Sequence, residues 1–150
     1  MPGNGVIQRK LALMDEQLVQ LRRRLEGVSR ETFCDDWGLR AMTERALQVC
    51  IEMVIDIAER FLALKGAGPA ATGAESMEKL AALGVIKSAA PYKEMVRFRN
   101  LLVDQNEQID PVILYGIATT RLSDFRRFQD EIDDALARFR DEGQSTTTNP

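Results

Sequence analysis

Apolar residues recur at alternating steps of three and four along Leu11, Met14, Leu18, Leu21, Leu25 and Val28, a heptad seam that predicts a first helix over residues 6–26. Gly27 can take the left-handed conformation that ends a helix. Such a seam would serve a dimerising coiled coil or, as we read it, the inner face of a bundle. A second and wider stripe runs through Leu39, Met42, Ala46, Val49, Met53, Ile57 and Leu64, broadened by Leu47, Cys50, Ile51, Val54, Ile55 and Phe61. Ser29, Thr32, Asp35 and Asp36 are all placed to cap this helix. The width of the stripe predicts burial on more than one side, as in a bundle that also dimerises. Trp37, near its start, reads as a packing anchor.

Residues 66–73 form a linker of small residues interrupted by Pro69, open enough to be poorly ordered. A short helix over residues 75–83, stopped by Gly84, leads through Val85 and Ile86 into a helix over residues 89–103. Pro91 fits only its first turn, where a missing N–H costs nothing. Asp110 and Pro111 mark the next start. The last helix, with Leu114, Ala118, Leu122, Phe125, Ile132, Leu136 and Phe139 on one face, is expected to run to about residue 140. Residues 143–150 read as a disordered tail. The expectation is an all-α, up-and-down bundle of four long helices and one short one, a single domain over residues 1–142, forming a two-fold homodimer.

Composition changes the picture in three respects. A net charge of −3 argues against a protein that coats nucleic acid non-specifically, so any RNA contact must be local. The chain has two cysteines and no histidine, which argues against a zinc site and leaves Cys34 and Cys50 as free thiols of a reducing compartment. With no secretory leader pattern and no apolar run near the ~20 residues of a membrane span, a cytoplasmic protein is expected. Arg22, Arg23 and Arg24 form a charge run that reads as a solvated face.

The most informative stretch is residues 97–108, Arg-Phe-Arg-Asn-Leu-Leu-Val-Asp-Gln-Asn-Glu-Gln. Met95, Phe98 and Leu102 are spaced for a helix, so Arg99, Asn100, Asp104 and Asn106 gather at or just past its end. The stretch resembles the signature of the HepT-like toxins of the HEPN superfamily, Arg-Asn-x-x-Val-His-x-Tyr. Residues 44–58 and the run Leu83-Gly84-Val85-Ile86 are also similar to that family, and the likeness extends over about residues 39–132.

This resemblance implies a metal-independent endoribonuclease that needs no cofactor and is the toxin of a pair with a minimal nucleotidyltransferase, MntA. In such a site a base takes the ribose 2′-OH proton and an arginine steadies the phosphate. Arg99 and Asn100 match the family's arginine and asparagine. Asp104 stands where the family has its catalytic histidine, and Asn106 where it has the tyrosine that the partner adenylylates. Each departure is a single first-base codon change. An aspartate side chain, an anion at neutral pH, repels phosphate and donates protons poorly. The expectation is therefore an impaired toxin or, alternatively, a non-catalytic helical dimer serving as the scaffold subunit of a nucleotidyltransferase. On an unbroken helix Arg99 and Asp104 would lie about 140° apart, so they can meet only if the helix ends there or a second chain supplies the partner. Asp56, a carboxylate within the apolar second helix, is expected either to support Arg99 or to stand solvated beside Arg60.

Overall fold

In the computed structural model, which describes residues 2–104 and 108–148 and the side chains of residues 5–104 and 108–140, the chain is all-α. Seven helices follow in order among the described residues: α1 (Pro2–Leu25), α2 (Arg30–Asp35), α3 (Trp37–Leu64), α4 (Gly73–Ala82), α5 (Ala90–Val103), α6 (Pro111–Thr120) and α7 (Ser123–Thr148). None of them is long and apolar enough to cross a membrane.

The seam of α1 faces inward: Leu11, Met14, Leu18, Leu21 and Leu25 are all buried, together with Ile7. Their partner is α3, the hub of the fold, which packs against α1, α2, α4, α5 and α6. The wide stripe of α3 is thus consumed within one chain, by neighbours on several sides, and its width does not by itself call for a second copy. Gly27 ends α1 with a φ of +77°.

Two expected helices are divided. The segment before α3 is capped twice, because Ser29 Oγ accepts from the Thr32 amide at 3.1 Å and Asp36 Oδ1 accepts from the Leu39 amide at 3.0 Å. Each side chain satisfies an otherwise orphaned donor, so the chain makes a short α2 and turns at Asp36 before starting α3. The expected last helix breaks at Arg121 and Leu122, giving α6 and α7. α7 then continues to Thr148, beyond the end of the apolar face near residue 140.

Trp37 corrects the reading as a packing anchor. It is 75% exposed, because the turn at Asp36 swings the first residue of α3 away from the core. Phe33 of α2 packs there instead, against Tyr115 of α6 with ring centroids 5.3 Å apart. The Tyr115 hydroxyl donates to the Val28 carbonyl at 2.7 Å. The glycine linker is also better anchored than its composition suggests. Lys79 Nζ donates to Pro69 O at 3.1 Å, Thr72 Oγ1 caps α4 through the Glu75 amide, and the Glu75 carboxylate accepts from the Ala71 amide at 3.0 Å.

Charged groups set the rotation of two helix pairs. Asp56 does not meet Arg99: it faces α1, where it pairs with Lys10 at 2.8 Å, and it also pairs with Arg60 one turn on at 3.1 Å. Burial raises the Asp56 pKa, but the hydrogen bonds and charges of Lys10 and Arg60 outweigh it and hold the carboxyl below its usual value. On the other side, the buried Tyr92 of α5 stacks edge-on against Phe128 and donates its hydroxyl to Glu131 of α7. The other oxygen of Glu131 accepts from the Lys87 amide at 2.6 Å.

Glu131→Ala should therefore destabilise the fold by about 1–3 kcal/mol in urea unfolding, since it leaves a buried hydroxyl and an amide without their acceptor. Glu131→Gln should lose less. For Asp56, a folded pKa below the unfolded one means that its contribution is present above the unfolded pKa and lost as pH falls through the folded one. Asp56→Asn should flatten this part of the acid unfolding profile while costing below about 1 kcal/mol at neutral pH, as expected for a partly exposed pair.

Candidate functional site

The site is built on the end of α5. Pro91 lies in the first turn, and the helix then carries buried Tyr92, Met95 and Val96 against α3, α4 and α7, which leaves the opposite edge with Arg97, Arg99 and Asn100 toward solvent. Val103 is the last helical residue, and Asp104 follows in an extended conformation with φ −79° and ψ 110°. The helix thus ends at the residue where the signature requires a change of direction. Asp104 projects from the carboxyl end of a helix, the negative end of its dipole.

Arg99 is half-buried, about one turn before that end, and its Nε donates to Asn100 Oδ1 at 3.0 Å. Asn100 thereby orients the guanidinium, whose terminal nitrogens make no bond among the described residues. They are available to an anion. Asn106 lies outside the described residues. Asp56 is on another face of α3, engaged by α1, so the structure brings Arg99, Asn100 and Asp104 onto one helix end and leaves Asp56 out of it.

Beyond the connection, Asp110 Oδ1 accepts from the Val112 amide at 2.9 Å and Pro111 begins α6. The positive end of α6 is thereby already occupied by a carboxylate. Four large apolar residues bracket this connection in the open, Leu101, Val103, Val112 and Ile113, each 41–56% exposed.

Beside the last turns of α5 runs an apolar groove of ≈ 200 Å³, lined by Phe98 and Leu101 with Leu47 and Ile51 of α3 and Phe125 of α7. Arg97 and Arg121 edge it, and each is held by a carboxylate, Glu94 and Asp124 respectively, at 3.2 Å. Periodicity marks Leu47, Ile51 and Phe125 as core positions. It could not show that they meet the signature helix, because that depends on how α3 and α7 are rotated.

Chemically, the helix end offers a positioned cation and a carboxylate. The chain has no histidine to add an imidazole to them.

The sequence profile of the family described as Ribonuclease HepT-like matches residues 14–132. Among solved structures, the fold is similar to that in a toxin–antitoxin crystal with AMP-PNP, at a TM-score of 0.80 and 25% identity, covering 87% of this chain and 98% of that one. It is similar also to the tri-AMPylated HEPN toxin of Shewanella oneidensis in complex with the MNT antitoxin, at a TM-score of 0.80 and 25% identity over 86% of this chain and 97% of that one. YutE of Bacillus subtilis, a cytosolic protein of unknown function, shares the fold at a TM-score of 0.74 and 18% identity, over 89% and 90% of the two chains. No curated protein sequence matches. The matched residues take in α2 to α6 and with them the whole helix end that carries Arg99 and Asp104, and the chain belongs to the HepT-like ribonuclease family.

Proposed function

We propose that this chain is the toxin component of a toxin–antitoxin pair, that its partner is a minimal nucleotidyltransferase, and that its ribonuclease chemistry is impaired. Family membership and the likeness to toxins crystallised with their antitoxins support the first two parts. The third rests on one observation: Asp104 occupies the end of α5, in a chain without histidine, where the family's general base belongs.

Arg99, oriented by Asn100, can bind a phosphate and stabilise charge on its oxygens. Transfer of the 2′-OH proton needs a second group that both accepts and returns a proton at neutral pH. Asp104 offers a carboxyl group at the carboxyl end of α5 where the step calls for an imidazole. Asn106 has no phenolic oxygen to accept an AMP group, the modification carried by the Shewanella toxin.

A two-fold homodimer is part of the proposal. The exposed Leu101, Val103, Val112 and Ile113 give a second copy an apolar surface around the turn that carries Asp104. Such a dimer would set two copies of the helix end beside each other.

As it stands the purified chain should not cleave RNA appreciably in a gel assay. Asp104→His should raise cleavage by about 10²- to 10⁴-fold and slow cell growth when expressed. Adding Asn106→Tyr should make that activity sensitive to an adenylylating nucleotidyltransferase. If folded Asp104→His stays inert toward RNA, the non-catalytic scaffold of a nucleotidyltransferase becomes the better reading.

In sedimentation the chain should behave as a dimer at micromolar concentration, burying more than about 1,000 Å² in total. Ile113→Glu should shift it to monomer. A monomeric parent chain would remove the dimer from the proposal.

A further inference from the structure

The arginine run at the end of α1 is a solvated face, with Arg22, Arg23 and Arg24 all exposed, and two of the three also border a groove. Arg22 and Arg23 line a groove of ≈ 690 Å³ whose opposite wall is the turn between α6 and α7, and a third arginine, Arg126, enters from α7. That volume is within the ~300–1,000 Å³ of ordinary ligand sites. Among the described residues, none of the three guanidinium groups has a hydrogen bond or an ion pair. The floor is apolar, with Leu18, Leu25 and Ala118 buried beneath it.

Helix dipoles do not account for this much charge. Arg22 and Arg23 do complement the carboxyl end of α1, but a helix end is worth only roughly half an elementary charge. The end of α6 adds about another half and Glu26, also on the groove, one more. Arg126 is in the first turn of α7, the positive end of that helix, where a cation is disfavoured. About one positive charge remains unmatched, over an apolar floor that strengthens its field. Two hydroxyls on the wall are already engaged, since Thr119 Oγ1 donates to the Tyr115 carbonyl at 2.7 Å and Thr120 Oγ1 to the Gly116 carbonyl at 2.5 Å, which leaves that of Ser123. The charged donors are guanidinium groups, which match phosphate oxygens two at a time.

We infer that this groove holds the phosphodiester backbone of single-stranded RNA, as a binding surface separate from the Arg99 helix end. The choice of RNA among polyanions rests on the ribonuclease reading above. Arg22 and Arg23, adjacent on α1, and Arg126 opposite them flank the groove, an arrangement suited to a strand lying along it. Binding here does not require cleavage, so it is retained by a chain whose base is missing.

The test is fluorescence anisotropy of a short fluorescein-labelled single-stranded oligoribonucleotide with the full chain across a salt series. The triple variant Arg22→Glu, Arg23→Glu, Arg126→Glu should weaken binding by at least about tenfold. It should also reduce the steepness of log affinity against log salt by about two, at roughly 0.7 per phosphate contact. Arg9→Glu, about 20 Å away on the same helix, should change neither. ATP at matched ionic strength should not displace the RNA.

Unchanged affinity and slope in a triple variant whose circular dichroism is native would overturn the inference, as would a parent chain that does not bind RNA at low salt. Displacement by ATP would make the groove a mononucleotide site instead. Loss of nucleotidyltransferase binding with RNA binding intact would make it a protein-docking surface. Because the readout is binding, RNA bound by the parent chain and lost in the triple variant, with an inert Asp104→His, refutes the cleavage reading and supports this one; cleavage by Asp104→His with unchanged binding in the triple variant does the reverse.

Discussion

A long apolar helix must be covered, and the arrangement of this protein follows from covering α3. The apolar body of α3 from Ala46 to Leu62 offers Leu47, Cys50, Ile51, Val54, Ile55, Ile57, Ala58 and Phe61, all buried, around much of its circumference. No single partner helix can shield so wide a surface, since one helix covers only a stripe. α1 takes one side, α4 and α5 another, α2 and α6 the rest. Cys50 is fully buried in this helix, and that burial pushes its thiol pKa up to about 12. The short α4 can come close because Gly73 presents no side chain to Ile55 and Val96; a Cβ there would lie 3.3 Å from Val96.

Covering α3 also decides where the chemistry can sit. α5 is held by its Met95 and Val96 side and by the Tyr92 hydroxyl on Glu131, so its free edge and its carboxyl end are turned to solvent. A polar signature at that end costs the core nothing, and residues there can change without loss of fold. The same separation leaves the residue after the helix end, Asp104 here, free to vary without disturbing the packing of α5. Packing fixes the fold, whereas chemistry in any such fold depends on a few exposed groups, and the two are under different constraints.

Local chemistry is what could be read along the chain. The seam of α1, the start of α5 at Pro91 and the start of α6 at Asp110 and Pro111 each depend on residues within a turn of one another, and the structure has them where the pattern puts them. The position of Arg99 and Asp104 on either side of a helix end was readable for the same reason. What could not be read depends on contacts between distant segments. Apolar periodicity runs on through Arg121 and Leu122 without glycine or proline, so nothing local announces the break between α6 and α7. Arg60, one turn on from Asp56, was readable as its neighbour, but the second partner was hidden because Lys10 lies forty-six positions away, and only the packing of α1 on α3 brings the two together. The groove between Arg22, Arg23 and Arg126 has the same origin: its walls come from opposite ends of the sequence.

The turn at Asp36 has a spectroscopic consequence. Trp37 is the only tryptophan in the chain, and it stands in water in the folded state. An indole so exposed should emit as a hydrated one, so unfolding should leave little to change, and fluorescence at this residue should be nearly blind to loss of the core. The same indole would shift to the blue if a binding partner covered the junction of α2 and α3. Nature has placed an optical reporter on the outside of this molecule, sensitive to company and indifferent to folding.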